Sequence, residues 1–249
     1  MAKHIFNLKP HVKDERDYKL ERLVKPNPAV VLPKSVDLRP ECPPVYDQGQ
    51  LGSCTANAGI AAATMLLNFP SMLSREFQYY METFIEGDPG KDNGAQSRDI
   101  GQVMTTYGLC LDSLDPYSDD PAKFAIPPTD VMKADAKTRL IQSYYGVPDL
   151  NGIKQVLALK SQPVLIGITV YESFESDEVA KTGIVPMPDV HKEKVLGGHE
   201  VLVVGYDDDK KVAIVRNSWG AGWGMNGYFT LPYAYFEKKY SDGFFVLQN

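Results

Sequence analysis

Apolar and polar positions in the first half of the chain predict helices joined by loops. The apolar, alanine-rich run 53–67 is long enough for a buried helix, and Ser53 at its start is a plausible N-cap. Helices are also predicted over residues 73–86 and 97–107. Four prolines between residues 115 and 130 predict a loop or crossover there.

The second half of the chain predicts mostly strands. A short amphipathic helix over residues 151–162 precedes a run rich in branched residues, 163–170, which is typical of a strand. The apolar runs 201–206 and 211–216 flank a polar segment and predict a hairpin, and residues 227–231 add another strand. Helices followed by strands indicate an α+β protein with two unlike lobes.

Residues 1–34 differ from the rest of the chain. They combine charged side chains and prolines with few periodic apolar positions, so we expect an extended arm that is partly ordered by docking on the body. The first ten residues lack the apolar core of a secretory signal, and no stretch approaches the roughly 18 apolar residues of a membrane span. We therefore expect a soluble protein that stays inside a cell.

Composition narrows the classes of function. A chain of 249 residues that is 43% hydrophobic and 23% charged is typical of one globular domain or of two lobes that share a site. Its net charge of −6 disfavours nucleic-acid binding, which usually needs a basic surface. Its three cysteines exclude a disulfide-dense scaffold and a four-cysteine zinc site, and at least one thiol must stay unpaired. No metal or cofactor is expected.

Cys54 is the thiol best placed for chemistry. It lies where a glycine-containing loop enters the alanine-rich helix, and the unpaired N–H groups and dipole of a helix start favour a thiolate. The alternative is a small buried hydrophobe at a helix start. Cys42 and Cys110 have no recognisable activating partner and are expected to be packed thiols, although together they could form one disulfide.

His199 and Asn217 are predicted neighbours. His199 opens an apolar strand after two glycines, and Asn217 ends the following strand of the hairpin, which brings the two residues together. The asparagine oxygen could accept a proton from one imidazole nitrogen, so that the other nitrogen faces a thiol. The alternative for His199 is a structural histidine. His4 and His11 belong to the arm, and the charged surroundings of His191 predict a surface residue.

Three segments of the chain resemble the active-site segments of papain-family cysteine peptidases. Residues 47–54 are similar to the nucleophile segment, 198–206 to the histidine segment and 217–228 to the asparagine segment, in the family's order. The spacing is also similar, because the histidine follows the cysteine by 145 residues and the asparagine follows the histidine by 18. The resemblance covers about residues 34–249.

The resemblance implies a papain-like two-lobed fold. Its first lobe would be helical, over about residues 35–125, and its second an antiparallel sheet or barrel over about 126–249, with the active-site cleft between them. Residues 1–34 would then be an arm that serves as a short propeptide, as in the microbial and viral members of the family. Whether the arm restrains the cleft or only packs on the outside stays open.

The resemblance also implies a role for each matching residue. Cys54 would be the nucleophile, His199 the general base and acid, and Asn217 the residue that orients the imidazole. Gln48 would donate its side-chain amide to an oxyanion hole, together with the backbone N–H of Cys54.

The substrate contacts follow from the same resemblance. Trp219 would shield the bond between the histidine and the asparagine beside the bound substrate, and Asn93, Gly94 and Ala95 resemble the stretch that pairs with the substrate backbone. The expected partner is a peptide or protein substrate, with no nucleic acid or membrane, and the expected state is a monomer. The cytoplasm or the interior of a host cell or virion is the expected location.

Several positions depart from the family's pattern. Thr55 follows the nucleophile where an aromatic residue is usual, and Leu51 and Asp92 occupy the places of two cysteines that commonly form a disulfide. Loss of both halves together fits a protein that matures without oxidation. Glu200 follows the histidine where a small residue is common, and could alter the acidity of His199.

Three functions are compatible with this sequence. The leading hypothesis is a thiol endopeptidase that forms a thioester acyl-enzyme on Cys54. A second is an acyl or amide transferase that uses the same three residues, in which an acceptor amine replaces water. The third is a non-catalytic binding module that keeps the papain-like fold.

Overall fold

The computed structural model describes residues 4–25 and 31–249, so residues 1–3 and 26–30 of the predicted arm lie outside the described ranges. The helices begin and end close to the predicted positions in the first half of the chain. In order, they are α1 Cys54–Leu67, α2 Arg75–Ile85, α3 Ser97–Thr106, α4 Pro121–Phe124, α5 Asp130–Ala136, α6 Leu150–Lys160, α7 Asp177–Thr182 and α8 Tyr233–Glu237.

The strands form a sheet of eight among the described residues. They are β1 Tyr18–Lys19, β2 Ser35–Asp37, β3 Ser143–Gly146, β4 Val164–Tyr171, β5 Val195–Asp207, β6 Val212–Arg216, β7 Tyr228–Pro232 and β8 Ser241–Gln248. Their order is β1-β3-β8-β4-β5-β6-β7, with β2 paired to β5. All pairs are antiparallel except β1 with β3. The predicted α+β class is confirmed.

Helix α1 joins the two halves of the structure. Its side chains from Cys54 to Ala63 are all buried, because alanine and glycine let the helix pack closely against β5 on one side and α2 and α3 on the other. Ser53 occupies the N-cap position as predicted, but its hydroxyl does not cap the helix. That hydroxyl bonds Tyr117 Oη at 2.5 Å instead, because the tyrosine reaches it from a distant loop.

Several elements were missed by the sequence patterns. The predicted loop 115–130 contains the short helix α4, and α5, α7 and α8 were not predicted. Strands β1, β2, β3 and β8 were also missed, since short or glycine-containing strands depend on their pairing partners more than on their own periodicity. No described helix is both long enough and apolar enough to cross a membrane.

The arm docks along the body instead of hanging free. Its strand β1 adds to the sheet edge in parallel with β3, and Leu20 and Val24 are buried in the main core. Arg98 on α3 fixes the arm through ion pairs with Asp14 at 2.8 Å and Asp17 at 2.7 Å. Residues 4–9 lie against Gly52, just before α1, against Ala95, and against Gly198 of β5.

Candidate active site

His199 and Asn217 form the hydrogen bond that the hairpin predicted. His199 Nε2 and Asn217 Oδ1 lie 2.8 Å apart, and both residues are buried. The backbone N–H of Ser218 donates to the same Asn217 oxygen at 2.8 Å, which fixes the amide so that its oxygen faces the ring. His199 Nδ1 has no hydrogen-bond partner in the described part of the chain, so this nitrogen is left to act on a neighbouring group.

Cys54 lies next to the strand that carries His199. The thiol is at the first residue of α1, and the backbone amide of Glu200, directly after His199, stabilises its thiolate form. Strand β5 and helix α1 pack together here, so the nucleophile and the base predicted from two distant segments share one buried site.

Both titratable groups of this site are neutral in the arm-covered structure. Burial raises the pKa of the Cys54 thiol to about 12 and lowers the pKa of His199 to about 4. The expectation of a thiolate at Cys54 is therefore wrong for this state. The helix start does favour the anion, but removal of water from a fully buried thiol has the larger effect.

Gln48 is held by both ends of its amide. Ser218 Oγ donates to Gln48 Oε1 at 2.6 Å, and Gln48 Nε2 donates one hydrogen to the Leu51 carbonyl at 3.1 Å. The amide nitrogen carries a second hydrogen, and the N–H of Cys54 has no intrahelical acceptor because it begins a helix. Ser218 was part of the matched segment but was given no role, although it orients both Asn217 and Gln48.

Trp219 covers the histidine–asparagine pair as predicted. Its ring stacks on His199 with a centroid distance of 5.0 Å. The Trp219 ring also stacks on His4 of the arm at a centroid distance of 3.8 Å, with the two rings nearly parallel. His4 is itself held by Glu175, whose carboxylate lies 2.8 Å from Nδ1. The arm therefore completes the wall that keeps water from His199.

The arm also occupies the strip of backbone expected to bind substrate. Leu8 N donates to the Gly198 carbonyl at 3.2 Å, and Lys9 N donates to the Ala95 carbonyl at 2.9 Å. Gly94 adopts a positive φ of 73°, and a Cβ there would lie 1.8 Å from the Asn7 carbonyl oxygen. Only glycine permits this close approach.

The other predicted substrate residue does not join this strip. The side chain of Asn93 is exposed and bonds Asp88, away from the arm. Phe6 of the arm meets the edge of the His199 ring at a centroid distance of 6.0 Å. The hypothesis that the arm lies over the cleft is thus in accord with the geometry of residues 4–9, and both Cys54 and His199 are buried in this structure.

Asp92 links, through hydrogen bonds, the two loops that the absent disulfide would join. Its carboxylate accepts the backbone N–H of Gly52 at 3.0 Å and the hydroxyl of Tyr79 at 2.6 Å. It also accepts the side-chain amide of Asn7 from the arm at 3.2 Å. The nucleophile loop is therefore tied to the neighbouring loop by charge-assisted hydrogen bonds, and the same carboxylate anchors the arm.

The three thiols are unpaired, which resolves the alternative left open by the sequence. Cys42 packs against Met65, with the two sulfur atoms 3.6 Å apart, and Cys110 is buried beside the Leu111 carbonyl. His191 is exposed, as predicted.

Thr55 has a partner that explains why an aromatic residue is absent. Its hydroxyl donates to Glu82 on α2 at 2.5 Å, and Gln78 donates to the other oxygen of the same carboxyl at 2.8 Å. Glu82 is fully buried, and burial raises its pKa to about 8. A large ring at position 55 would leave this buried carboxyl without its closest donor.

The raised pKa of Glu82 makes stability depend on pH. The folded chain keeps the proton up to about pH 8, whereas the unfolded chain releases it above about pH 4.5, so stability falls as pH rises between these values. Glu82→Gln cannot ionise and should remove this loss. We expect its melting temperature to exceed that of the natural chain by about 5 °C at pH 8, and by much less at pH 4.5.

Thermal unfolding followed by circular dichroism at both pH values measures this difference. Glu41→Gln is the matched control, because Glu41 is exposed and should shift the melting temperature by no more than about 1 °C at either pH. An equal gain for Glu82→Gln at pH 4.5 and pH 8 would show that the carboxyl is not protonated in the folded state.

Glu200 acts on the thiol and not on the histidine. Its side chain turns toward Ser97, whose hydroxyl donates to Oε2 at 2.5 Å. The groups that set the acidity of His199 are, after burial itself, Asn217, His4 and Glu175. The expectation that Glu200 alters the acidity of His199 is therefore wrong, because its carboxyl points away from the ring.

Comparisons with known proteins agree with this geometry. A family model described as papain family cysteine protease matches residues 32–238. The chain is 35% identical over 255 aligned residues to an uncharacterised peptidase C1-like protein of Acanthamoeba polyphaga mimivirus, which covers 94% of this chain and 79% of that protein.

Solved structures show the same relationship. The chain is similar to xylellain, a cysteine protease from Xylella fastidiosa, with a TM-score of 0.90 at 34% identity, covering 100% of this chain and 97% of the other. It also shares the fold of bromelain from Ananas comosus, solved in complex with the inhibitor E64, with a TM-score of 0.66 at 22% identity and coverage of 87% and 99%.

Proposed function

The chain belongs to the papain family of cysteine proteases, and we propose that it is an endopeptidase that works through a thioester on Cys54. Cysteine peptidase activity and a protein substrate follow from the family. The observation that carries the finer mechanism is the 2.8 Å bond of His199 Nε2 to Asn217, which leaves Nδ1 without a hydrogen-bond partner among the described residues, on a strand that packs against the helix of the buried thiol.

The first half of the reaction forms the acyl-enzyme. Cys54 transfers its proton to His199, and the thiolate attacks the carbonyl carbon of the substrate. The negative charge that develops on the carbonyl oxygen is stabilised by the Gln48 amide and the Cys54 N–H. His199 then gives its proton to the nitrogen of the leaving peptide as the C–N bond breaks, which leaves a thioester.

The second half restores the enzyme. His199 takes a proton from a water molecule, which attacks the thioester carbon, and the same donors stabilise the second oxyanion. The C–S bond breaks, the acid product leaves, and the sulfur regains its proton. Asn217 keeps the imidazole in the orientation that both halves require, and Ser218 fixes Asn217 and Gln48.

An active-site label tests the proposal. An epoxysuccinyl inhibitor or iodoacetamide should modify Cys54 stoichiometrically, and the same preparation should cleave peptides in their interior. Mass spectrometry locates the label and identifies the products. Incorporation of an added amine into the acyl product in preference to hydrolysis would replace the endopeptidase by a transferase, and no labelling of Cys54 would overturn both.

Gln48→Ala measures the oxyanion hole. Loss of one fixed donor is expected to lower kcat by about 100-fold to 1,000-fold with little change in KM, because the donor acts on charge that exists only in the transition state. Steady-state kinetics with a fluorogenic peptide measure both constants. Gln50→Ala is the matched control, since Gln50 is an exposed glutamine of the same loop and should leave kcat unchanged. A rise in KM alone would assign Gln48 to ground-state binding.

The arm is proposed to restrain this activity. Residues 4–9 cover His199 and use the backbone acceptors of Gly198 and Ala95, and His4 is one of the groups that lower the pKa of His199. A substrate must displace them before it can reach Cys54. Anchorage of Asn7 on Asp92 and of His4 on Trp219 opposes this displacement.

A further inference from the structure

A buried arginine contacts the loop that carries Gln48. Arg75 begins helix α2 and is 9% exposed. Its guanidinium carbon lies 4.6 Å from the ring centroid of Tyr46 and 3.9 Å from that of Tyr117. The two aromatic faces stabilise the buried charge and hold the planar group in one orientation. Burial of a charged group costs free energy, and the mechanism proposed above gives this arginine no role.

The arginine donates directly to the peptide group before Gln48. Arg75 Nη1 lies 3.1 Å from the carbonyl oxygen of Asp47. The N–H of the same peptide group belongs to Gln48 and donates to the Ser218 carbonyl at 2.9 Å. Both polar atoms of this peptide group are therefore held by separate elements, and the group cannot rotate without breaking a hydrogen bond. Its orientation determines where the Gln48 side chain begins.

A chain of side-chain hydrogen bonds connects the same arginine to the carbonyl of Gln48. Arg75 Nη1 also donates to Asn57 Oδ1 at 2.8 Å, and Asn57 Nδ2 donates to Ser53 Oγ at 3.0 Å. Ser53 Oγ lies 2.5 Å from Tyr117 Oη, and the Tyr117 hydroxyl donates to the Gln48 carbonyl at 2.8 Å. The peptide groups on both sides of the Gln48 Cα are thus connected to one guanidinium.

Each bond of this chain has a defined direction. A guanidinium can only donate, so the Asn57 oxygen faces Arg75 and the Asn57 NH2 group faces Ser53. A hydroxyl has one hydrogen, so Tyr117 gives its hydrogen to Gln48 and Ser53 gives its own to Tyr117. Burial raises the pKa of Tyr117 to about 12, so the phenol keeps this hydrogen at neutral pH. Hydrogen bonds that run in one direction strengthen one another.

The same side chains hold the second oxyanion donor, the backbone N–H of Cys54. Ser53 is the N-cap residue of α1, and its carbonyl belongs to the peptide group that carries this N–H. Asn57 Nδ2 donates to that carbonyl at 2.9 Å. Asn57 in turn accepts from Arg75. One guanidinium therefore connects the backbone around Gln48 with the peptide group of the other donor.

We propose that Arg75 is a positioning residue of the oxyanion hole, which holds the Gln48 amide in place relative to the Cys54 N–H. Two donors stabilise an oxyanion well only where both point to the same atom, and a displacement of about 1 Å can lower a rate about 100-fold. The role is indirect, since Arg75 acts through the backbone of both donor residues. This inference rests on the proposed function, because it concerns the oxyanion donors of that same reaction.

Removal of the guanidinium tests this role in the full chain. Arg75→Met keeps an apolar stem on the tyrosine rings but loses every donor, and should lower kcat at least about tenfold with little change in KM. Tyr117→Phe keeps the ring and removes one hydroxyl of the chain, so it should lower kcat in the same way. Steady-state kinetics with a fluorogenic peptide measure both constants. Arg39→Met is the matched control and should leave kcat unchanged, because the Arg39 guanidinium bonds the exposed Asp37.

Alkylation of Cys54 separates positioning from a general loss of structure. Iodoacetamide reacts at a saturated carbon, so no oxyanion forms, and the rate reports the thiol and its access. The alkylation rate in Arg75→Met and in Tyr117→Phe should stay within about threefold of the rate in the natural chain. A fall of kcat and of the alkylation rate by the same factor, or an unchanged kcat in both variants, would overturn the proposal.

A double-mutant cycle tests whether Arg75 acts through Gln48. In a Gln48→Ala background the relative position of the two donors no longer matters, so Arg75→Met should lower kcat by no more than about threefold further. A second loss as large as in the natural chain overturns this inference alone. Absence of any cleavage by the natural chain, together with no labelling of Cys54, overturns the proposed function instead.

Discussion

Replacing Cys54 with alanine is expected to lower kcat/KM for peptide cleavage by at least about 10⁴-fold. The acyl-enzyme requires the sulfur atom, and no neighbouring residue can substitute for it, because Thr55 is committed to the buried carboxyl of Glu82. The rate that remains would come from the oxyanion donors and from substrate binding. Stopped-flow or steady-state assays with a fluorogenic peptide measure the loss of kcat/KM. Mass spectrometry should find no acylated protein.

Cys42→Ser is the matched control for this experiment. Its thiol packs against Met65 and donates to the Leu38 carbonyl, with no contact to the histidine–asparagine pair among its described hydrogen bonds, so activity should stay within about twofold of the natural chain. A Cys54→Ala variant that retains substantial cleavage would show that another nucleophile or an activated water carries the reaction. Loss of activity in the Cys42 variant with an unchanged fold would place a second thiol in the chemistry.

Loosening the arm is expected to increase the reactivity of Cys54 by about 100-fold at neutral pH. In the covered structure burial raises the pKa of the thiol to about 12, and each unit by which exposure lowers it gives about tenfold more thiolate. Phe6→Ala combined with Asn7→Ala removes the ring against His199 and the anchor on Asp92. The rate of modification by iodoacetamide in the full chain measures the effect, and peptide turnover should rise with it.

Val12→Ala is the control for the arm. Val12 belongs to the same arm but is 64% exposed, so its truncation should leave both the labelling rate and the turnover unchanged. If the double variant reacts no faster than the natural chain, the arm packs on the surface without restraining the site. If thiol reactivity rises but turnover does not, the arm covers the nucleophile while another step limits cleavage.

The sequence placed the candidate catalytic residues well because their positions depend on local structure. Cys54 lies at a helix start that its own alanine-rich segment specifies, and a hairpin necessarily brings His199 near Asn217. Strands β3 and β8 were missed for the opposite reason. Their segments contain glycine and polar residues, and they become strands because they pair with each other and, for β8, with β4.

Side chains from distant segments of the chain determine the charges and hydrogen bonds around the candidate site. Asp92 was noted only for the cysteine that it replaces, yet it binds the nucleophile loop, Tyr79 and the arm at once. Glu82 gave no signal in the sequence, because nothing local shows that its carboxyl is buried against Thr55. Ser218 lay in a matched segment, but its two partners become visible only when Gln48 and Asn217 are brought together.

The sequence by itself determined the class of fold, the thiol, the histidine–asparagine pair and the glutamine beside them, since each follows from a short pattern of residues. Only the tertiary structure decided the ionisation of Cys54 and His199 and the course of the arm. The physical reason is that burial and strand pairing join residues far apart in the chain. A pKa depends on the water that those neighbours exclude.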